Sequence, residues 1–229
     1  MIPKFYFDVK QHIFDPANPY EYQTNPVWLD MRADRFTASY AAELLVKGKD
    51  EDGLGATIKT LIDRRVSERF MGWIDDSGIS WSEKEAVRRG IIYEDEARKW
   101  YEQQTGLKVI ECGFVERGEY LGCSPDGLIP ELKRMIQIKI PLYQNYIQAA
   151  LRLKGKPYIP QCEMELFVCD YEQNDLVFYN PEKKIGKIIP VKRNPETDLA
   201  ILSKMRAAVR FRDNTIELLS ENIRENYNG

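Results

Sequence analysis

The hydrophobic period of this chain changes from helical to alternating at Gly106, so a purely helical or purely β fold is excluded. Upstream, apolar residues recur at helical spacing. Ile58, Leu61, Ile62, Val66 and Phe70 do so over Thr57 to Met71, and Val87, Ile91, Tyr93, Ala97, Trp100 and Tyr101 do so ahead of Gly106. Ser82 with Glu85 three residues on predicts a capping box for the second helix, and Gly106 predicts its left-handed end. A turn at Trp28 to Arg32 and a short helix over AAELLV, capped by Thr37 or Ser39, are predicted before them. Downstream, LKVIECGFVE and YLGCSPDGLI alternate between apolar and polar, and RMIQIKI reads as a short buried strand. A helix from Tyr143 to about Leu153, a Gly155 to Pro157 linker and a helix from Gln161 to Val168 follow. Asp175 to Tyr179 and Lys187 to Val191 predict a hairpin, and Pro195 opens a last helix with Leu199, Leu202, Met205, Ala208, Val209 and Ile216 on one stripe.

This order predicts one α/β (α+β) domain over residues 1–229, with a central mixed β-sheet flanked by helices. Residues 1–26, rich in aromatics and proline, are expected to form an N-terminal arm laid over the body or a neighbouring subunit. Residues 195–229 are expected to form a C-terminal helix.

Composition narrows the chemistry. No apolar run approaches the ~20 residues of a membrane span, and Lys4, Asp8 and Lys10 break up any signal peptide. Cys112, Cys123, Cys162 and Cys169 form no CxxC pair, so they are expected to be reduced, buried thiols in a cytoplasmic protein. The single histidine, His12, lies in the Pro-rich leader, which argues against Ser-His-Asp, Cys-His or HExxH chemistry. Hydrolysis by this chain would therefore rest on carboxylates, a lysine and a metal.

Four local features carry that chemistry. Ser124-Pro125-Asp126-Gly127 sits at a strand edge, where Asp-Gly alone also signals a turn. Gln137 and Lys139 alternate onto one face of an apolar strand, where an exposed polar edge would also explain them. Glu94 follows Ile91, Ile92 and Tyr93 on a helix, so its side is expected to be partly inward, although a solvated helix charge is the plainer account. Gln161 and Glu163 open a helix, where an acid also compensates the helix dipole. Together, Asp126, the strand at residue 137 and Glu94 could hold hard divalent cations through oxygen, with Lys139 beside them. That arrangement suits metal-assisted phosphodiester hydrolysis.

The ordered set RADRFTAS, GIIYEDEARKWYEQQTG, CSPDG, IQIKIP and YIPQCEMEL resembles the phage lambda exonuclease (YqaJ-type viral recombinase) family of PD-(D/E)XK nucleases, over about Trp28 to Asp175. The resemblance implies a restriction-endonuclease-like core. It also implies a Mg²⁺-dependent 5′-to-3′ exonuclease that degrades one strand of linear duplex DNA and leaves 3′ overhangs. Two Mg²⁺ ions per site, with Mn²⁺ as a substitute, a toroidal homotrimer and a single-strand annealing partner are part of the same implication. By matching motif, Asp126 would be the central metal ligand, Glu94 a further acid near the metals, and the Ile138 carbonyl a backbone ligand. Lys139 would be the catalytic lysine and Gln161 a polar residue at the rim. Arg32, Ser39 and Ser124 would hold the 5′-phosphate, and Arg35 is an extra basic candidate for DNA binding.

One position departs from the pattern, because the family has Glu where this chain has Gln137. An amide removes one negative charge and brings a donor to an acceptor position. Either the chain is an inactivated form that retains the fold and traps substrate, or it is a variant that cleaves weakly or only binds. A DNA-end binding module without turnover and a monomeric restriction-type endonuclease are the rival readings.

With 33 Lys and Arg against 36 Asp and Glu the net charge is −3, so affinity for DNA would have to come from local positive potential. Arg64, Arg65 and Arg69, then Lys84, Arg88 and Arg89, then Arg152, Lys154 and Lys156 are the clusters that could line a groove. Trp28, Phe36 or Tyr40 could stack on a duplex end, with core packing as the simpler role.

Overall fold

The computed structural model describes residues 9–13, 28, 31–32, 35–71, 81–152 and 156–227. The rest of the N-terminal arm, the Ser82 side chain of the expected capping box and Gly155 of the expected linker lie outside the described residues. Of the turn expected at Trp28 to Arg32, the described Trp28, Met31 and Arg32 are helical.

Where one central sheet was expected, the described residues form two four-stranded mixed sheets. In the first, β1 (Val9–Ile13) pairs antiparallel with β3 (Cys112–Arg117), which pairs antiparallel with β4 (Leu121–Cys123). β2 (Phe36–Thr37) runs parallel to β4. In the second, β5 (Gly127–Ile129) is antiparallel to β6 (Arg134–Lys139), β6 is parallel to β7 (Gln173–Asn180), and β7 is antiparallel to β8 (Ile185–Lys192). A bridge between Ile110 and Leu128, with both backbone hydrogen bonds at 2.8 Å, ties the sheets together. The chain leaves the first sheet after Cys123 and enters the second at Gly127. Pro125 in that crossing has no N–H to offer a ladder, so the strand breaks there and Asp126 falls at the junction. Part of the arm is thus a strand, with Val9 opposite Arg117 and Gln11 opposite Val115.

Among the described residues the sheets are covered by α1 (Ala41–Leu45), α2 (Ala56–Met71), α3 (Trp81–Thr105), α4 (Ile159–Cys169) and α5 (Pro195–Tyr227). In the second sheet β5, β6 and β7 are buried on both faces, while the edge strand β8 is largely exposed. On one side α3 brings Ala97 and Tyr101 against Ile136, Ile138, Val177 and Tyr179. On the other, α4 brings Cys162, Met164, Leu166 and Phe167 into the main core with Met135, Leu176 and Phe178. The four cysteines are buried free thiols, as their spacing suggested. Strand alternation on β6 therefore turns Ile136 and Ile138 to α3, and Met135, Gln137 and Lys139 to α4. Tyr101 fastens α3 to β7 by donating to Asp175 Oδ2 at 2.6 Å, where Arg134 Nε also bonds at 2.8 Å.

Gly106 takes φ +72° and ends α3 as its position suggested. Gly122 is a matter of space, because a Cβ there would sit 2.2 Å from Cζ of Phe114. Several expectations need correction. Neither Thr37 nor Ser39 caps a helix. Thr37 ends β2, and a 3₁₀ turn (Ala38–Tyr40) without a side-chain cap precedes α1. In place of one continuous α-helix, Tyr143–Asn145 is a 3₁₀ turn and Ile147–Arg152 a π-helical stretch, with Tyr146 and Ala150 as the buried residues there. Ile91 and Leu199 are exposed by 65% and 68%, whereas the expected Ala97 and Tyr101 on α3 and Met205, Ala208 and Val209 on α5 face inward, joined by Ile201.

Candidate active site

Asp126 lies where the two sheets meet and is buried. Its Oδ2 accepts the backbone N–H of Ile138 at 2.5 Å and Nε2 of Gln137 at 2.5 Å. Burial pushes its carboxyl up from the ordinary value. Lys139, the Ile138 N–H, Arg98 and Gln137 pull the other way. Gln137 has resolved its two-sided amide by turning the nitrogen to Asp126. That leaves its Oε1 buried and without a partner, which is costly for a strong acceptor.

Glu94 comes in from α3, half-buried. Its carboxyl is pushed up to about 8, first by burial and then by the charge of Asp126, against the pull of Arg98 and Lys139. It accepts from Nη2 of Arg98 one helical turn on, at 2.9 Å. Sequence reasoning placed Glu94 inward because it follows Ile91 and Ile92, yet both isoleucines are exposed. The inward face is Glu94, Ala97, Arg98 and Tyr101, an i, i+3, i+4, i+7 set. Arg98, missed in the sequence, is buried and ties the site together. Its Nε donates to the Asp126 carbonyl at 3.2 Å and its Nη1 to Glu111 at 2.8 Å.

Lys139 shares the face of Gln137. Its Nζ donates to Oε1 of Gln161 at 3.1 Å and lies 5.1 Å from the Tyr158 ring centre. Gln161 sits in the first turn of α4 and passes the contact on, its Nε2 donating to Glu165 Oε1 at 2.9 Å. Glu165 is the second residue missed. Glu163, the acid singled out in the sequence, accepts from Thr197 Oγ1 on α5 instead. Helical spacing carried the signal, because Gln161 and Glu165 are one turn apart on one face and Glu163 is not.

Arg32, Ser39 and Ser124 gather at the other end of the Ser124 to Asp126 crossing. Arg32 Nη2 reaches Thr37 Oγ1 and Ser39 Oγ at 3.4 Å each, and the two hydroxyls are 2.9 Å apart. Trp28 Nε1 donates to Ser124 Oγ at 2.8 Å while the Arg32 guanidinium lies 4.3 Å from its ring centre. Burial lowers the Arg32 pKa, and neighbouring Arg65 lowers it further. Two arginines brought together beside hydroxyl donors make a place for an anion. Trp28 thus has a polar attachment, Phe36 is buried in the core, and Tyr40 takes a hydrogen bond from Arg65 at 3.2 Å.

Arg35 does not join them. It pairs with Glu116 at 2.9 Å and donates to the Met31 carbonyl at 2.6 Å. Among the other basic candidates Arg89 pairs with Glu182 at 2.7 Å, and Arg88, Arg152 and Lys156 are exposed. The side chains of Arg69, Lys84 and Lys154 lie outside the described residues.

Among the described residues no three His, Cys, Asp or Glu side chains converge to cage a metal. Glu94 and Asp126 nevertheless lie close enough for their charges to repel, and the Gln137 side chain bonded to Asp126 has its oxygen buried and without a partner. An amide oxygen and two carboxylates are hard donors, so the residues present fit a divalent cation, with one negative charge fewer than three acids would give.

Two mixed sheets enclosed by helices, with a carboxylate at their junction and a lysine two strand positions past Gln137, make up the α/β fold that carries this site. Residues 27–172 match the YqaJ-like viral recombinase domain, and the chain belongs to that family. It is similar to the alkaline exonuclease LHK-Exo of Laribacter hongkongensis, at 24% identity and a TM-score of 0.73 over 86% of this chain and 97% of that one. The structure of LHK-Exo in complex with dAMP aligns with the same score and coverage at 25% identity. A phage related exonuclease from Haemophilus somnus 129PT shares the fold at 15% identity, with a TM-score of 0.68 over 84% of this chain and 98% of that one. No curated protein sequence matches the chain.

Proposed function

We infer that this protein is a metal-dependent 5′-to-3′ exonuclease that digests one strand of linear duplex DNA and leaves 3′ overhangs for strand annealing. The observation that carries the reading is the cluster at the sheet junction, where buried Asp126 feels the charges of Glu94 and Lys139 and is bonded by Gln137, whose own oxygen is buried and partnerless. Family membership and a relative crystallised with dAMP, a nucleoside monophosphate of the kind such digestion releases, support it.

Asp126, Glu94, Gln137 Oε1 and the Ile138 carbonyl would hold the cation, Mg²⁺ or Mn²⁺, which supplies Lewis acidity and lowers the pKa of bound water. The rest falls to the chain. Lys139, a fixed positive charge beside the acids, orients the attacking water and stabilises charge developing on the phosphate. Arg32, Ser39 and Ser124 grip the 5′-phosphate, and the short Ser124 to Asp126 crossing sets the distance from that phosphate to the first diester bond. A grip on the end, rather than on base edges, suits sequence-independent digestion from a 5′ terminus. The net charge of −3 suits an enzyme held on its substrate by a ring, so a homotrimer around the duplex, acting in the cytoplasm with a single-strand annealing protein, completes the reading. Among the described residues no helix is long and apolar enough to cross a membrane.

Gln137 makes this chain a weakened or inactivated form, since the cation site carries two formal charges in place of three. The same residue favours one alternative, an end-binding module without turnover. A digestion assay on 5′-phosphorylated linear duplex, comparing this chain with Gln137→Glu, separates the two. The nuclease reading expects strong Mg²⁺-dependent digestion by the variant. Tight end binding with no digestion by either protein favours the module.

A further inference from the structure

We propose that Glu165 is a positioning residue that fixes the side-chain amide of Gln161 with its oxygen toward Lys139, and so holds the lysine in place. The proposal rests on the nuclease reading of the pocket.

A glutamine amide has two faces of nearly equal shape and opposite polarity. Nothing in the residue itself decides which face meets a neighbouring ammonium. Here the choice is made from behind. Gln161 Oε1 accepts from Lys139 at 3.1 Å because its Nε2 donates to Glu165 Oε1 at 2.9 Å. Turned over, the amide would set two donors against each other at Lys139 and leave two acceptors facing each other at Glu165. Glu165 is in turn gripped from β7, where Asn174 Nδ2 donates to its Oε2 at 2.7 Å. The chain Lys139, Gln161, Glu165, Asn174 thus runs from β6 through α4 to β7, and the last two members are 1% and 0% exposed.

A buried carboxyl with no cation bonded to it costs stability, and a purely structural site would be better served by a hydrophobic side chain. Burial and the charge of Asp126 push the Glu165 carboxyl up to about 8. Asn174 Oδ1, buried and partnerless, would accept a proton from a neutral Glu165 if that amide were turned. In either protonation state Glu165 Oε1 remains the acceptor that Gln161 needs. Groups that orient a working side chain at a metal site by hydrogen bonding from behind it typically contribute about 10–100-fold.

The test uses the full chain in the Gln137→Glu background. Glu165→Leu should lower kcat about 10–100-fold with little change in KM. Glu165→Gln keeps an acceptor for Gln161 and should restore kcat to within a few-fold. If Glu165 acts through Gln161, Glu165→Leu combined with Gln161→Leu should be no worse than Gln161→Leu alone. A packing role predicts losses that multiply. Additive losses, or a Glu165→Gln variant as slow as Glu165→Leu, overturn the proposal. A second readout needs neither activity nor a folded variant at 165. In the unaltered chain the side-chain amide protons of Gln161, assigned by their absence in Gln161→Leu, should exchange slowly with solvent. Exchange as fast as that of an exposed glutamine overturns the proposal. If the Gln137→Glu protein digests nothing, the nuclease reading fails, and the amide exchange alone decides the positioning claim.

Discussion

Exchanging Gln137 for Glu should make the protein less stable without metal and more responsive to it. The amide nitrogen of Gln137 lies 2.5 Å from Oδ2 of Asp126 and donates to it. A glutamate puts an oxygen at that place. The hydrogen bond is lost, and two carboxylates whose charges are centred roughly 4 Å apart repel by about 4 kcal/mol at an effective dielectric constant of ~20. Near neutral pH the pair relieves part of this by retaining one proton. At about 2–4 °C per kcal/mol for a chain of this size, the variant should melt roughly 10 °C lower in a chelator. A divalent cation between the two acids reverses the sign of the interaction, so added Mg²⁺ should recover most of the loss and move the unaltered chain much less. Thermal melts of both proteins, with chelator and with Mg²⁺, measure this directly. Equal melting temperatures in chelator, together with equal responses to Mg²⁺, would refute the reasoning.

Replacing Arg32 by Ala should remove a charge-assisted contact of about 1.5–3 kcal/mol, weakening the preference for 5′-phosphate over 5′-hydroxyl ends by about 10–100-fold. Competition binding with the two duplexes reads this, and the free protein should lose no stability, since Arg32 is desolvated beside Arg65. Glu165→Gln should raise stability increasingly with pH. A carboxyl raised from 4.5 to about 8 keeps its proton in the folded state while the unfolded chain has released it. The unaltered protein therefore loses stability through that window, by at most roughly 4–5 kcal/mol. Denaturant unfolding of both proteins at several pH values checks it, and parallel curves would count against a buried protonated acid. Gly122→Ala, which drives a Cβ into Phe114, should cost about 1–3 kcal/mol in the same measurement.

What the sequence disclosed follows from how local each signal is. Gly106, the α4 stretch and the β7–β8 hairpin were legible because capping and alternation act over a few residues. So was the shared face of Gln137 and Lys139, which strand geometry alone dictates. The pairing of β1 with β3 was not legible, because it joins residues about a hundred positions apart and no local pattern encodes a partner. The single expected sheet divides in two for the same reason, at a Pro125 that reads locally as an ordinary turn. Glu165 and Arg98 were hidden differently. Arg98 lies on a helix with many charges and Glu165 shares its helix with Glu163, and composition does not say which of them turns inward. The helical face of Gln161 pointed to Glu165, and that of Glu94 to Arg98, once the inward face was fixed by Tyr101. Ile91 misled because an apolar residue at the right spacing is ordinarily buried, whereas here it is exposed.

The most direct test of the cation site is a crystal of this protein soaked in Mn²⁺ and measured for anomalous scattering. The account predicts a peak within ligand distance of the Asp126 carboxylate and Gln137 Oε1, on the side that faces Glu94. A well-diffracting crystal with Mn²⁺ bound elsewhere, and with the Gln137 oxygen turned to a protein donor, would contradict it.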